Sequence, residues 1–205
     1  MSRTTKKYWE SISTSKAAGL DNIPPKLVKD AAEELATPLT TLVNRSLTCG
    51  LFPTAEKAAK ISPIYKSEDK TALDNYRPIS VLPVFSKVLE RVVCNRLSYY
   101  LEENNLNDSQ YGFRQKRSTK HAVTIVMDDI RTSMDNQQLT GAVFLDLRKA
   151  FDTVNHARLL NKLPSYGIND VELMWVSSYL FARTQVVNFE GTLSEENYIT
   201  HGVPQ

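Results

Sequence analysis

The sequence has few of the features that mark several protein classes. Its two cysteines, Cys49 and Cys94, are far apart and form no CxxC pair, which gives no basis for a disulfide framework. Its three histidines show no HExxH or other clustered pattern, so a structural zinc site is not expected. Seven glycines and nine prolines are too few for a collagenous or low-complexity chain. No strictly apolar run approaches the roughly 20 residues of a membrane-crossing helix, and Ala142–Leu145 is typical of the longest. The opening MSRTTKKYWESISTS is basic but lacks the apolar centre of a secretory signal. The expectation is an intracellular chain without membrane contact. Charge of either sign is also not in excess, with 25 Lys and Arg against 23 Asp and Glu, so net charge selects no partner.

What is present is a composition with 41% hydrophobic and 23% charged residues, that of an ordinary folded protein. Leu27, Val28, Ala31 and Leu35 follow Pro25, a residue suited to a first helical position, and predict a helix. Pro38 is expected to interrupt it, with a second helical piece running through Leu39, Leu42, Val43 and Leu47 to a stop at Gly50. Two β-branched segments, Ala59–Lys66 and Tyr76–Leu82, flank the acidic loop SEDKTALDN and read as a hairpin-like element. Helices are predicted from Val84 to about Asn104, from about Thr119 to Met134 with Ala122, Val123, Val126 and Ile130 as a core face, from about Val154 to Leu163, and from Val171 to Phe181. A strand is predicted in GAVFLDL from Gly141, and a strand pair at Thr184–Phe189 and Asn197–Thr200. Helices mixed with a few short strands make the fold class α+β.

Two places could carry chemistry. Residues 111–120, YGFRQKRSTK, place Arg114, Lys116, Arg117 and Lys120 among Tyr111 and Phe113 with no acid between them. Such a run is either a solvated basic loop or a nucleic-acid contact. Asp146 interrupts the apolar segment of the expected strand. It could cap the following turn, pair with Arg148 or Lys149, lie exposed at a strand end, or ligate a hard cation such as magnesium.

The stretch VFLDLRKAFDTVNHARLL at 143–160 resembles motif A of reverse transcriptases from non-LTR retrotransposons, and four further stretches match that family in order. SKAAGLDNIPPKLVKDA at 15–31 is similar to the extension that precedes the fingers. ISPIYKSED with NYRPISVLP at 61–83 is similar to the first fingers motif, NDSQYGFRQKRSTKHAV at 107–123 to the second, and HGVPQ at 201–205 to the start of motif B. The type most resembled is the polymerase of jockey-like elements. The resemblance implies the fingers and part of the palm of a right-hand polymerase, with an irregular segment at 1–14, extension and fingers at 15–140, and partial palm at 141–205.

It also implies roles, residue by residue. Asp146 would be the first metal-binding aspartate, with the Leu147 carbonyl as a further oxygen for one of two magnesium ions. Lys66 and Arg77 would clamp the incoming triphosphate. Phe151, five residues after Asp146, would be the aromatic gate that collides with a ribose 2′-hydroxyl, and Gln205 would sit beside the nucleotide's sugar and base. Tyr111, Phe113, Arg114, Lys116 and Arg117 would face the template. Asp152 reads as a cap or a local hydrogen-bond acceptor for the helix starting near Val154. The implied partners are an RNA template, a DNA primer and deoxynucleoside triphosphates. The family's remaining acidic ligands lie in a Tyr-x-Asp-Asp hairpin that follows motif B and is not found here, so the expected function is part of an RNA-directed DNA polymerase, inactive alone. The alternative is a non-catalytic, RNA-binding or functionless remnant of a truncated element.

Overall fold

A computed structural model describes residues 12–104, 106–147 and 149–204. The chain divides into two units, one formed by the chain up to Cys94 together with the chain from Lys149 onward, the other by Asn95–Arg148.

In the first unit, α1 (Pro25–Asp30) begins with proline in its first turn, and α2 (Ala32–Cys49) follows after a single break at Ala31. Pro38 does not end the helix as expected; it lies inside α2. The chain bends out of helical geometry at Ala31 instead, where ψ is 18°. Beyond the proline, Thr40 and Thr41 donate their hydroxyls to the carbonyls of Ala36 and Thr37, at 2.6 and 3.1 Å. Gly50 stops α2 as expected: its φ of 65° is left-handed, Gly50 N donates to Leu47 O and Leu51 N to Ser46 O. A β-carbon at Gly50 would also lie 2.9 Å from the Val171 carbonyl.

The sheet is built on β1 (Ala58–Tyr65), which pairs antiparallel with β2 (Tyr76–Val81) in the register Lys60 opposite Val81 through Tyr65 opposite Tyr76. Its other edge pairs in parallel with β3 (Thr184–Phe189), Ala58 opposite Thr184 and Ile61 opposite Val187. Two short strands, β4 (Thr192–Leu193) and β5 (Asn197–Tyr198), complete the sheet, both antiparallel to β3. The α+β class is thus borne out, and the parallel neighbour of β1 is a feature that local patterning did not disclose.

The core lies where α2 and α3 (Val84–Asn104) meet α6 (Asp170–Leu180), and joins Val43, Phe52, Leu89, Val92 and Trp175. Phe52 stands edge-on to Trp175 and Tyr179, with centroids at 5.6 and 5.1 Å, while the Trp175 and Tyr179 rings stack. The indole N–H donates to Ser46 Oγ at 3.0 Å, so this large ring is buried with its polar atom satisfied. Beside it Arg183, only 1% exposed, lies over the faces of Phe52 and Tyr179. It donates through Nη1 to Tyr179 O, while its Nε and Nη2 have no hydrogen-bond partner among the described residues. Burial pushes the Glu90 carboxyl up, and Arg183 and the Tyr179 hydroxyl pull part of the way back. Burial and the Arg183 charge hold the Lys57 ammonium below the usual lysine range, and its Nζ donates to Phe181 O at 3.0 Å.

The second unit holds the later part of α3 and α4 (Thr119–Asp135), whose first turn is capped by Ser118 Oγ accepting from His121 N. The predicted core face of α4 is not a core. No residue of the helix is buried, and Val123 is 61% exposed, because no described element packs extensively against it. The strand expected in GAVFLDL is likewise not formed: residues 141–147 are irregular, and Phe144 and Leu145 are each 89% exposed. A strand needs a neighbour to take its backbone hydrogen bonds, and none of the described strands pairs with this segment.

Candidate nucleotide and nucleic-acid sites

The hairpin β1–β2 positions two of the predicted cations. Lys66 N donates to Asn75 O at 2.8 Å, which carries the ladder one step past Tyr65. Arg77 is opposite Ile64, and Lys66 lies two residues beyond Ile64, so strand alternation puts Lys66 and Arg77 on one face of the hairpin. Both are exposed. The loop between them is ordered by its own polar groups. Asp69 accepts from Thr71 N and Oγ1 at 2.8 and 2.7 Å, bonds that hold its carboxyl below the usual range. Asn75 Nδ2 donates to Asp69 O, and the Tyr76 hydroxyl donates to Lys70 O.

A second constellation in the same unit joins two stretches that are distant in sequence. The turn Lys149–Thr153 is closed by Asp152 N and Thr153 N donating to Lys149 O. Onto it docks the segment 201–204: Gly202 N donates to Val154 O at 2.8 Å, Val203 N to Phe151 O at 3.0 Å, and Asn155 bridges His201. The buried His156 ring places Nε2 2.7 Å from Gly202 O and stands edge-on to Phe181. Gly202 has a φ of 83°, and a β-carbon there would lie 2.8 Å from the Asp152 carbonyl oxygen. Phe151 is therefore held by its own carbonyl to the turn that leads to Gln205, which itself lies outside the described residues. The cap assigned to Asp152 belongs to Asn155, whose Oδ1 accepts from Arg158 N at the start of α5 (His156–Lys162). The helix starts two residues later than expected, and Asp152 falls inside the preceding turn instead.

In the sequence Lys149 enters only as a possible partner of Asp146, and His156 not at all. Asn155 as a helix-capping residue could have located the start of α5 and with it His156, but no local pattern announces a histidine that bonds to a backbone carbonyl 46 residues away. Lys149, in a left-handed conformation with φ of 52°, reaches Asp74 Oδ1 at 2.7 Å.

In the second unit the basic run forms a loop that uses part of its own charge. Arg114, with a side chain only 6% exposed, is forked onto Glu102 through Nε and Nη2 at 3.0 and 2.7 Å, and its Nη1 donates to Asn107 O. The pairing holds the Glu102 carboxyl below and the Arg114 guanidinium above their usual ranges. Arg117 pairs with Asp108 at 3.2 Å and lies over the Tyr111 ring. Lys116 and Phe113 are exposed, both at positive φ.

Asp146 and Leu147 lie in the irregular stretch of this second unit, both exposed. No group of three or more His, Cys, Asp or Glu gathers anywhere among the described residues. One carboxylate and one carbonyl are fewer donors than a pair of magnesium ions draws from a protein, so the described residues do not fit a two-metal centre. No described helix is long and apolar enough to cross a membrane.

Comparison with known proteins gives these motifs a common origin. The chain is 32% identical to a probable RNA-directed DNA polymerase from transposon BS of Drosophila melanogaster, over 96% of the chain and 22% of that relative. It is 35% identical to the RNA-directed DNA polymerase from mobile element jockey of the same organism, over 91% of the chain and 20% of that protein. A putative 115 kDa protein in type-1 retrotransposable element R1DM is 31% identical over 95% of the chain and 18% of its own length. The chain thus spans about a fifth of the length of the curated relatives it matches. Residues 64–205 match the family described as reverse transcriptase (RNA-dependent DNA polymerase). The resemblance to polymerases of jockey-like elements is borne out, and the chain belongs to the reverse transcriptase family.

Proposed function

We propose that this chain is the nucleotide-selecting part of an RNA-directed DNA polymerase, with fingers within 15–140 and part of a palm within 141–205, working on deoxynucleoside triphosphates, a DNA primer and an RNA template. The observation that carries this reading is the docking of residues 201–204 onto the turn that bears Phe151, through the Gly202–Val154, Val203–Phe151 and His156–Gly202 bonds. It supports a rigid floor on which an aromatic ring can test a sugar from a fixed position. Lys66 and Arg77, on one face of the hairpin, supply charge for the phosphates, Arg77 by a planar fork and Lys66 as a point charge. Lys116, Arg117 and the Tyr111 and Phe113 rings are the template-facing groups of the basic loop, while Arg114 shapes that loop through Glu102. Asp146 and the Leu147 carbonyl are the chain's contribution to magnesium binding, and the other acidic ligands of two ions come from outside the described residues. Primer extension by the 205-residue chain alone is therefore expected to be undetectable.

Nucleotide binding tests the reading directly. Arg77→Ala should weaken binding of deoxynucleoside triphosphates to the chain about tenfold or more, since a charge-assisted contact contributes roughly 1.5–3 kcal/mol. An unchanged dissociation constant would remove Arg77 from the site. Phe151→Val should reduce the preference for deoxyribonucleotides over ribonucleotides by opening space at the 2′ position. The ratio of the two dissociation constants reports this, and an equal ratio in variant and parent would rule out the gate.

A further inference from the structure

We propose that Lys149 is a third triphosphate-binding cation, held in reserve by Asp74 and handed to the phosphates when a nucleotide arrives. The inference rests on the nucleotide-binding reading of Lys66 and Arg77 and adds a residue to that site. Asp74 lies in the short helical turn Leu73–Asn75, between the two hairpin cations, and its neighbour Asn75 accepts the backbone bond from Lys66. Lys149 comes from the later of the two stretches that form the same unit, two residues before Phe151, and spans 75 residues of sequence to put Nζ 2.7 Å from Asp74 Oδ1. The contact thus ties the loop that joins Lys66 to Arg77 to the turn that fixes the gate ring.

The turn itself aims the lysine. Its carbonyl accepts from Asp152 N, Thr153 N and Thr153 Oγ1, which keeps the backbone in the left-handed conformation that a lysine adopts only under such constraint. The ion pair, by contrast, is easily exchanged. Both side chains are about half exposed, and a pair of that kind contributes little in water. A triphosphate brings several negative charges to the same place and outcompetes one carboxylate for the ammonium. Asp74 then acts against nucleotide binding and Lys149 for it, although the two are partners in the free chain. A contact that merely stapled the loops together would make both residues act in the same direction.

That opposition of sign is the test. Dissociation constants for deoxythymidine triphosphate with magnesium, and for inorganic tripolyphosphate, are measured by calorimetry on the 205-residue chain, with thermal midpoints confirming that each variant folds. Lys149→Ala should weaken both ligands by about three- to tenfold, Asp74→Ala should tighten both by about two- to fivefold, and Lys149→Arg should bind within about twofold of the parent. Weakening by both alanine variants, or no change with Lys149→Ala while Arg77→Ala weakens binding, overturns the proposal and leaves the nucleotide site standing. A parent chain that binds neither ligand, or an Arg77→Ala variant as silent as Lys149→Ala, brings down the nucleotide site and this proposal together.

Discussion

Trp175→Ala should lower the unfolding free energy of the chain by about 3–5 kcal/mol, the range for emptying a buried aromatic site. Trp175 is only 5% exposed and ties α6 to α2 and to the segment after it: it touches Phe52 edge-on, stacks on Tyr179 of its own helix, and donates to Ser46 of α2. The substitution removes the ring that separates α2 from α6 and leaves Ser46 Oγ, which also donates to Leu51 O, without its donor. A small domain has only about 5–15 kcal/mol to lose, so much of its stability would go. Urea denaturation followed by circular dichroism measures the effect. Trp175→Phe, which keeps an aromatic body but loses the bond to Ser46, should recover most of it. A loss below about 1 kcal/mol for the alanine variant would mean that the aromatic cluster is not the centre of the core.

Gly202→Ala should detach the 201–204 segment from the turn at Phe151 and cost about 2–4 kcal/mol, from left-handed strain together with a buried imidazole deprived of its partner. Its β-carbon would meet Asp152 O at 2.8 Å, and that oxygen belongs to backbone fixed by the turn, so the clash cannot be relieved by rotating a side chain. Once Gly202 moves, His156 loses the carbonyl at 2.7 Å while still enclosed against Phe181. The His156 ring resonances should shift toward those of a free imidazole in an NMR spectrum of the variant, and the denaturation midpoint should fall. Parent-like His156 resonances and stability would show that the docking tolerates a side chain and does not fix Phe151.

The parts of the fold that could be read in the sequence are those with local causes. The hairpin around SEDKTALDN, the stop at Gly50 and the strand at Thr184–Phe189 each follow from residues next to one another, and each is found. What could not be read depends on distant partners. Nothing in Ala58–Tyr65 says that Thr184–Phe189 will lie parallel to it. Apolar patterning in GAVFLDL and on α4 signals faces that want covering, but patterning cannot supply the cover, and both remain exposed. The candidate site divides in the same way. Motifs located Lys66, Arg77 and Phe151, whereas Lys149 enters in sequence only as a possible partner of the nearby Asp146, and its pairing with Asp74 depends on a residue 75 positions away. Arg114, which counted as a template contact in sequence, has most of its donors turned onto Glu102 and the loop backbone.

The parallel pairing of β1 with β3 also bears on how the chain is made. While a ribosome is still synthesising the residues between Val81 and Thr184, β1 has β2 on one side and an open edge on the other. The Asn95–Arg148 stretch emerges completely before that edge can be closed, and Trp175 arrives only just ahead of β3. High contact order of this kind makes closure late and slow, and it leaves a sticky nascent intermediate until β3 has been made. Yield of folded chain should accordingly respond to translation speed and to chaperones that shield strand edges, even where the finished protein's stability does not change.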